Sequence, residues 1–241
     1  MLGDEVLIDL PRVARVLVRA GECVGVEPAP DVDPGDLDWL LEGHVRQVAD
    51  LQRGRFALHA SAVVIDGGAV AICAHGATGG SSVAAGLANR GHAVIADGWL
   101  PVSGPELLAE AWTDELALWP DVAKLIDRDP EGGRAVRAGL KKRRHRFERG
   151  ESAPLAALVM VHRYEWEDDA SAERVGGGSA VEQVLSHVAL NHLVSPMGLE
   201  AQLFMWGAGL ASGCPVHRLD LDRSRPGVVE PAEAIEALVR R

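Results

Sequence analysis

A histidine, a hydroxyl-bearing loop and an aspartate lie in one stretch of this chain. His59 comes first, a loop rich in glycine and small residues leads into Ser81, and Asp97 follows an apolar run. Histidine titrates near neutral pH and suits general acid or base catalysis. A strand-end aspartate beside a phosphate-binding loop suits Mg²⁺ or a substrate proton. From residue type alone, His59 and Asp97 are either structural residues or candidate catalytic residues, with Asp97 a metal ligand only if Mg²⁺ binds.

The secondary structure predicted around these residues would bring them to one place. Local patterns predict strands over 56–65 and 69–73 joined by a hairpin turn, a helix over 81–90, and a third strand over 92–96. Proteins that hold a phosphate on the amides of a helix N-terminus show the same order of elements, namely a strand, a small-residue loop, a helix, a strand and an acidic residue. His59 and Asp97, each near a strand end, are expected to face the mouth of that loop.

The loop departs from the usual phosphate-binding fingerprint GxxxxGK[ST]. Ala74 stands at the first glycine, Gly80 stands where the lysine belongs, and Ser81 keeps the hydroxyl position. The backbone cradle is retained, but the cation that would meet the β- and γ-phosphates is missing. The predicted nucleotide-binding residues are Gly76, Thr78, Gly79, Gly80, Ser81 and Ser82, and the predicted pocket-lining residues are His75 and Trp99.

This stretch contains, in order, His-Ala-Ser-Ala-Val, a hairpin, the loop, a helix, Arg-Gly-His, a strand and an acidic turn. In the order of its parts it resembles the catalytic domain of HPr kinase/phosphorylase. It is most similar to the short HPr-kinase-like proteins of peptide-tailoring (lasso peptide) and cell-surface gene clusters. The resemblance is close over 58–102 and weaker in later segments.

This resemblance implies a phosphotransfer site to which His59, Ser81 and Asp97 belong. It also marks three departures from the family pattern. Gly80 replaces the lysine, Gly98 replaces the second of two aspartates, and Ala74 replaces the first loop glycine.

Length and composition predict an ordinary globular protein. The chain has 241 residues, of which 47% are apolar and 24% charged. We predict a mixed α/β fold of the P-loop, HPr-kinase-like type, with a sheet flanked by helices. Its core would span 55–241, and residues 1–54 would form a small N-terminal subdomain or sheet extension.

Charge and cysteine usage limit the partners and the compartment. The net charge of −11 argues against nucleic acid and anionic membranes as partners. Three widely spaced cysteines and the lack of a long apolar run predict a cytoplasmic protein with reduced thiols. A small molecule or a peptide is the expected ligand, and the sequence leaves a homo-oligomer open.

Further patterns predict helices over 12–20, 37–51, 105–112 and 179–194. Two interpretations are open for the basic run over 141–146. It is either a solvated helix face or a patch for phosphate or an acidic substrate, and one of its cations could replace the missing lysine. His187 and His192 are interpreted as two ordinary helical histidines.

Three functional hypotheses follow. The first is a kinase scaffold repurposed in secondary metabolism as an ATP-independent tailoring enzyme, or as a binder of a small or peptidic metabolite, with His59 as acid/base and no cofactor. The second is a deviant kinase of a peptide or small molecule that uses ATP or GTP with Mg²⁺. The third is a non-catalytic pseudokinase or partner protein. A substituting cation near Gly80 would favour the second, and contact between His59 and Asp97 in a closed pocket would favour the first.

Overall fold

The computed structural model describes residues 4–76, 79–164, 171–222 and 227–240. In chain order, its first elements are β1 (Glu5–Leu10), β2 (Ala14–Arg19), β3 (Glu22–Pro28), α1 (Pro34–Trp39), a π-helical segment (Leu40–Val45), α2 (Arg46–Gln52), β4 (Ala57–Leu58), β5 (Ala60–Ile65), β6 (Gly68–Ala74), α3 (Gly80–Asn89) and β7 (Ala93–Ala96). They are followed by β8 (Leu100–Ser103), β9 (Leu108–Ala109), β10 (Glu115–Leu118), α4 (Pro120–Leu125), β11 (Arg134–Ala135), β12 (Arg143–Arg146) and β13 (Ala153–Tyr164). The last are β14 (Ser171–Val175), α5 (Gly177–Ser186), α6 (Asn191–Val194), α7 (Glu200–Gly213), β15 (Val216–Asp222) and α8 (Val229–Val239).

The N-terminal part is a three-stranded antiparallel sheet, β1-β2-β3, packed on a helical run. The predicted helix over 37–51 is confirmed as α1, the π-helical segment and α2 in succession. The predicted helix over 12–20 is wrong, because this segment forms β2. Buried Val16 and Val18 alternate with exposed Arg15 and Arg19 and half-buried Leu17, and turns with positive φ at Arg12 and Ala20 bound the strand. Alternation with β-branched residues therefore outweighed the helical spacing.

The main sheet is mixed, which confirms the predicted α/β class. Its strands follow the order β4-β8-β9-β13-β6-β5-β7, and β15 pairs with β13 and β14. β13 runs parallel to β6 and β15, as a central buried strand, whereas β5 is antiparallel to both β6 and β7. The start of β5 and the ends of β6 and β7 therefore meet at one edge of the sheet.

Helices cover both faces of this sheet. Helices α3 and α8 bury Val83, Leu87 and Ile235 against one face, and α5 and α7 bury Val184 and Leu210 against the other. The predicted helix over 179–194 is interrupted, and α5 and α6 are its two separate parts. Within the described ranges, no helix is long and apolar enough to cross a membrane.

A small second sheet, ordered β10-β12-β11, stands beside the edge where β7 ends. Its central strand β12 comes from the basic run over 141–146, so the interpretation of that run as a helix face is wrong. The predicted helix over 105–112 is also wrong. Leu108 and Ala109 form β9, which pairs with both β8 and β13, so tertiary pairing outweighed local preference.

Candidate active site

Asp97 lies just beyond β7, and both oxygens of its carboxylate accept hydrogen bonds. Oδ1 accepts from the hydroxyls of Ser61 (2.7 Å) and Ser81 (2.8 Å), and Oδ2 accepts from the backbone N–H of Ala117 (2.7 Å). These donors come from β5, α3 and β10. The carboxylate therefore ties the phosphate-type loop to the two sheets beside it.

His59 precedes β5 and is exposed. Its Nδ1 lies 2.8 Å from the carbonyl oxygen of Gly98, which can only accept, so Nδ1 carries the proton. In the neutral ring, Nε2 then holds a lone pair. The His59 backbone N–H donates to the carbonyl of His187 (2.7 Å), which anchors the residue. Among the described contacts, no hydrogen bond joins the His59 and Asp97 side chains.

The loop after β6 ends in a helix N-terminus of the phosphate-binding type. Gly76 and Gly79 have positive φ angles of 55° and 100°, which glycine adopts without strain. The first intrahelical bond runs from the N–H of Val83 to the carbonyl of Gly79 (2.9 Å), so the preceding amides have no acceptor within α3. Ser81 and Ser82 lie in this first turn, whereas predicted residue Thr78 lies outside the described residues.

Ala74 and Gly80, two of the residues that depart from the fingerprint, lie next to each other in the structure. A Cβ atom placed on Gly80 would lie 3.2 Å from the Cβ of Ala74, which is closer than nearly all real Cβ contacts. The carbonyl oxygen of Ile72 would be 3.5 Å away on the sheet side. The methyl group of Ala74 therefore occupies space that any side chain at position 80 needs.

A cavity of about 310 Å³ opens in front of this turn. Its lining includes five of the predicted site residues, namely His59, Gly76, Gly80, Ser81 and Asp97. Two cations from the basic segment, Lys142 and Arg144, line the same cavity. Neither of them is in a salt bridge within the described part of the chain. The Lys142 ammonium lies over the ring of Trp119, 5.6 Å from its centroid, so neither charge is neutralised by a carboxylate among the described residues.

A third cation lies against the loop from the sheet side. A Cβ atom placed on Gly79 would be 3.2 Å from a terminal guanidinium nitrogen of Arg163, near the end of β13. That guanidinium also donates to the backbone carbonyl of Asp222 (3.2 Å). Burial lowers the pKa of Arg163, and the charge of Asp222 opposes this shift. Glycine at position 79 is what allows the guanidinium to approach the loop.

A second cavity, of about 450 Å³, adjoins the first and shares His59, Asp97 and Arg144 with it. His75 and His187 line this second cavity, and their rings stack with centroids 4.0 Å apart. His187 is only 2% exposed, and its Nδ1 donates to the carbonyl of Gln183 (2.9 Å). Burial lowers the pKa of His187 to about 4, so the ring is neutral at neutral pH.

The predicted pocket residue Trp99 lies one layer behind the cavities. It is buried, packs edge-to-face on Trp112 (5.6 Å between centroids), and its carbonyl accepts from the indole N–H of Trp112. Trp112 itself lines the 450 Å³ cavity, together with Trp39 from α1. Sequence reasoning had found neither of these two indoles, because nothing local marks them as facing a site.

His187 was also missed, because its site role depends on the interruption between α5 and α6. Sequence reasoning had placed His187 and His192 on one continuous helix. His187 instead follows the end of α5 and turns toward His75, whereas His192 lies in α6. Ser61, within the His-Ala-Ser motif, was likewise not singled out, although its position beside His59 was a usable signal.

The oxygen atoms around Asp97 fit Mg²⁺ in chemical type. The Ser61 and Ser81 hydroxyls and the Asp97 carboxylate converge, and hard oxygen ligands are what Mg²⁺ prefers. Among the described residues there is no group of three or more His, Cys, Asp or Glu side chains that could hold a metal by themselves. Mg²⁺ would therefore need ligand phosphates and waters to complete its shell, as it commonly does.

No protein-family model matches the chain, and no curated protein sequence matches it either. Among solved structures, it is similar to the HPr(Ser) kinase/phosphatase from Coxiella burnetii, with 13% sequence identity and a TM-score of 0.38. The superposition covers 76% of this chain and 96% of that one. An overlap this loose leaves all conclusions about the site to the chain's own contacts.

Proposed function

We propose that the chain binds a nucleoside triphosphate with Mg²⁺ in the 310 Å³ cavity and transfers its terminal phosphoryl group. The observation that supports this most directly is the presence of Lys142 and Arg144 in the same cavity as Gly80. In this hypothesis they take over the charge that the missing loop lysine would supply. The chain would thus be a nucleotide-dependent kinase with its phosphate-binding cations on different elements.

The electrostatics favour an anion over a neutral ligand. Phosphoryl transfer depends chiefly on positioning and on neutralising charge at the phosphates. Gly80 and Ser81 of the first α3 turn line the cavity together with the two cations, whereas the charge of Asp97 is shared among three hydrogen-bond donors. In a protein of net charge −11, such a local excess of positive charge supports a polyanionic ligand.

His59 suits the role of general base in this reaction. Its Nε2 lone pair would accept the proton of an acceptor hydroxyl as the acceptor oxygen bonds to the γ-phosphorus. The bond from that phosphorus to the bridging oxygen then breaks, and the nucleoside diphosphate leaves with the electron pair. Mg²⁺, when bound at Asp97 and Ser81, would supply charge neutralisation at the phosphates.

Two features of the site give the other hypotheses less support. The ATP-independent hypothesis expected His59 and Asp97 to touch in a closed pocket, but their described hydrogen bonds go to different partners. A filled pocket beside an exposed apolar patch would favour the pseudokinase hypothesis, whereas two adjoining cavities are open at the loop. Kinase chemistry is therefore the function to test first.

Calorimetric titration of ATP and GTP with Mg²⁺ is the deciding experiment. We expect micromolar binding, and a loss of about tenfold or more in Lys142→Met and in Arg144→Met, since each removes a charged contact to phosphate. Lys124→Met is the matched control, because Lys124 is an exposed lysine on α4 outside the cavity. Silence up to millimolar nucleotide would retire the kinase hypothesis in favour of metabolite binding.

The role of His59 needs a separate variant. In His59→Ala we expect wild-type nucleotide affinity and slower release of phosphate from ATP, by about 10²-fold or more. Equal phosphate release by the wild type and His59→Ala would contradict the general-base assignment while leaving nucleotide binding intact.

A further inference from the structure

A third cavity, of about 520 Å³, adjoins the two at the loop and lies between the N-terminal helical run and the small sheet. Trp39 and Arg144 line all three cavities, so the three form one continuous cleft around these residues. The N-terminal part, in which the sequence offered no motif, therefore contributes a wall of the site.

The charges of this cavity are unequally satisfied. Arg134 pairs with Glu115 (3.3 Å), and Glu115 is also approached by Arg146 (3.6 Å). By contrast, Arg46 and Arg144 have no carboxylate partner within the described ranges. The guanidinium of Arg46 instead lies over the ring of Trp99, 5.3 Å from its centroid. Two arginines that form no ion pair among the described residues thus line one cavity, and Glu42 adds a negative charge to its wall.

Flat apolar surfaces accompany these charges. Trp39 and Trp112 both line the cavity and both are half-buried, and the Trp39 ring also contacts the His44 ring (4.7 Å) and the Arg137 guanidinium (5.4 Å). Indole faces bind planar groups, and unpaired guanidinium groups bind carboxylates or other oxyanions with directed hydrogen bonds. The cavity therefore combines the features that an anionic planar ligand needs.

We propose that the 520 Å³ cavity is the binding site of the acceptor, and that the acceptor carries a carboxylate beside a planar or aromatic group. Arg46 holds the carboxylate, the indoles hold the planar part, and the hydroxyl to be phosphorylated extends past Arg144 toward His59. The role as acceptor site rests on the proposed function, whereas the binding of an anionic ring does not.

Isophthalate, a benzene ring with two carboxylates, is a suitable probe, and benzamidine is its cationic counterpart. Binding to the full chain is measured by tryptophan fluorescence and by saturation-transfer NMR. We expect millimolar affinity for isophthalate and none for benzamidine. Arg46→Gln should weaken isophthalate binding about tenfold, whereas Arg46→Lys, which keeps the charge, should stay within about threefold of wild type.

Two further variants separate a charge effect from a packing effect. Glu42→Gln removes an acid that lines the same cavity and should tighten isophthalate binding by about two- to threefold. Arg149→Gln, an exposed arginine outside the cavity, should leave it unchanged. Equal binding of isophthalate and benzamidine, or unchanged binding in both Arg46→Gln and Glu42→Gln, would overturn the inference.

An ATP titration in the same samples keeps the two proposals distinguishable. Arg46 does not line the 310 Å³ cavity, so Arg46→Gln should keep its ATP affinity. Isophthalate binding without any ATP binding would mean that the anion site stands and the kinase function falls. ATP binding without isophthalate binding would mean the reverse.

Discussion

Restoring the loop lysine should require two substitutions, because Ala74 and Gly80 compete for the same space. In Gly80→Lys the new Cβ would lie 3.2 Å from the Ala74 methyl carbon, whereas carbon atoms prefer about 3.5–4.0 Å. The Ala74 methyl is attached to the buried end of β6 and cannot rotate away. The strain must therefore be taken up by movement of the sheet or of the α3 N-terminus.

The effect of Gly80→Lys on the free energy of unfolding should differ between the wild-type protein and an Ala74→Gly variant. Replacing a helical glycine should stabilise the fold by roughly 0.5–1 kcal/mol, but overpacking costs about 1–3 kcal/mol. Gly80→Lys alone should therefore lower the free energy of unfolding by about 1–2 kcal/mol. In an Ala74→Gly background the obstructing methyl is gone, and the same substitution should be neutral or stabilising. Coupling of this size is typical of residues in direct contact.

Urea unfolding and calorimetric ATP titration of the four variants in this double-mutant cycle test the reasoning. The double variant should bind MgATP more tightly than the Ala74→Gly single variant, by about tenfold or more, because an ammonium group then meets the phosphates. Ala74→Gly combined with Gly80→Met is the control, since it fills the space without a charge and should gain no affinity. Wild-type stability in Gly80→Lys alone would refute the steric argument. A folded double variant without tighter ATP binding would refute the phosphate-cradle geometry of the loop.

Three further predictions concern stability and reactivity. Glu236 accepts hydrogen bonds from Arg90, and these hold the pKa of Glu236 at about 2. The carboxylate therefore stabilises the fold fully above its unfolded pKa of about 4.5, and this stabilisation is lost as the pH falls toward 2. Glu236→Gln should lower the free energy of urea unfolding at pH 7 by about 1–3 kcal/mol and should remove this acid dependence. Because the pKa of His187 is lowered to about 4, the folded protein should lose stability as the pH falls from about 6.5 to 4. His187→Gln should lessen this loss in unfolding experiments across that range. An unchanged dependence of the unfolding free energy on pH would contradict this prediction. Burial raises the pKa of Cys73 and of Cys214 to about 12. A thiol reagent should therefore label exposed Cys23 quickly and the two buried cysteines only when the protein unfolds. Rapid labelling of all three cysteines in the folded protein would contradict the buried positions.

The order of elements around the loop could be predicted because it is encoded locally. The turn at Asp66-Gly67, the glycines of the loop and the apolar runs on either side each specify their own conformation. Once β5, β6 and β7 are adjacent, chain direction alone brings His59, the loop and Asp97 to one edge. The loss of the loop lysine was likewise visible from residue types and spacing.

Local preference misled where strand pairing decides the structure. Segments 12–20 and 105–112 have apolar spacing that also fits a helix, but strand partners elsewhere provide hydrogen bonds for an extended backbone. For the basic run over 141–146, the helix-face interpretation was wrong because the place of β12 between β10 and β11 is a tertiary result.

The sequence by itself determined a phosphate-type loop with a missing cation, and a histidine and an aspartate beside it. Only the tertiary structure decided which cations could replace that lysine. Lys142 and Arg144 reach the cavity because β12 docks on β10, whose Ala117 N–H binds Asp97. Contacts between segments so far apart in the chain depend on packing and strand pairing, and a local pattern of residues carries no information about them.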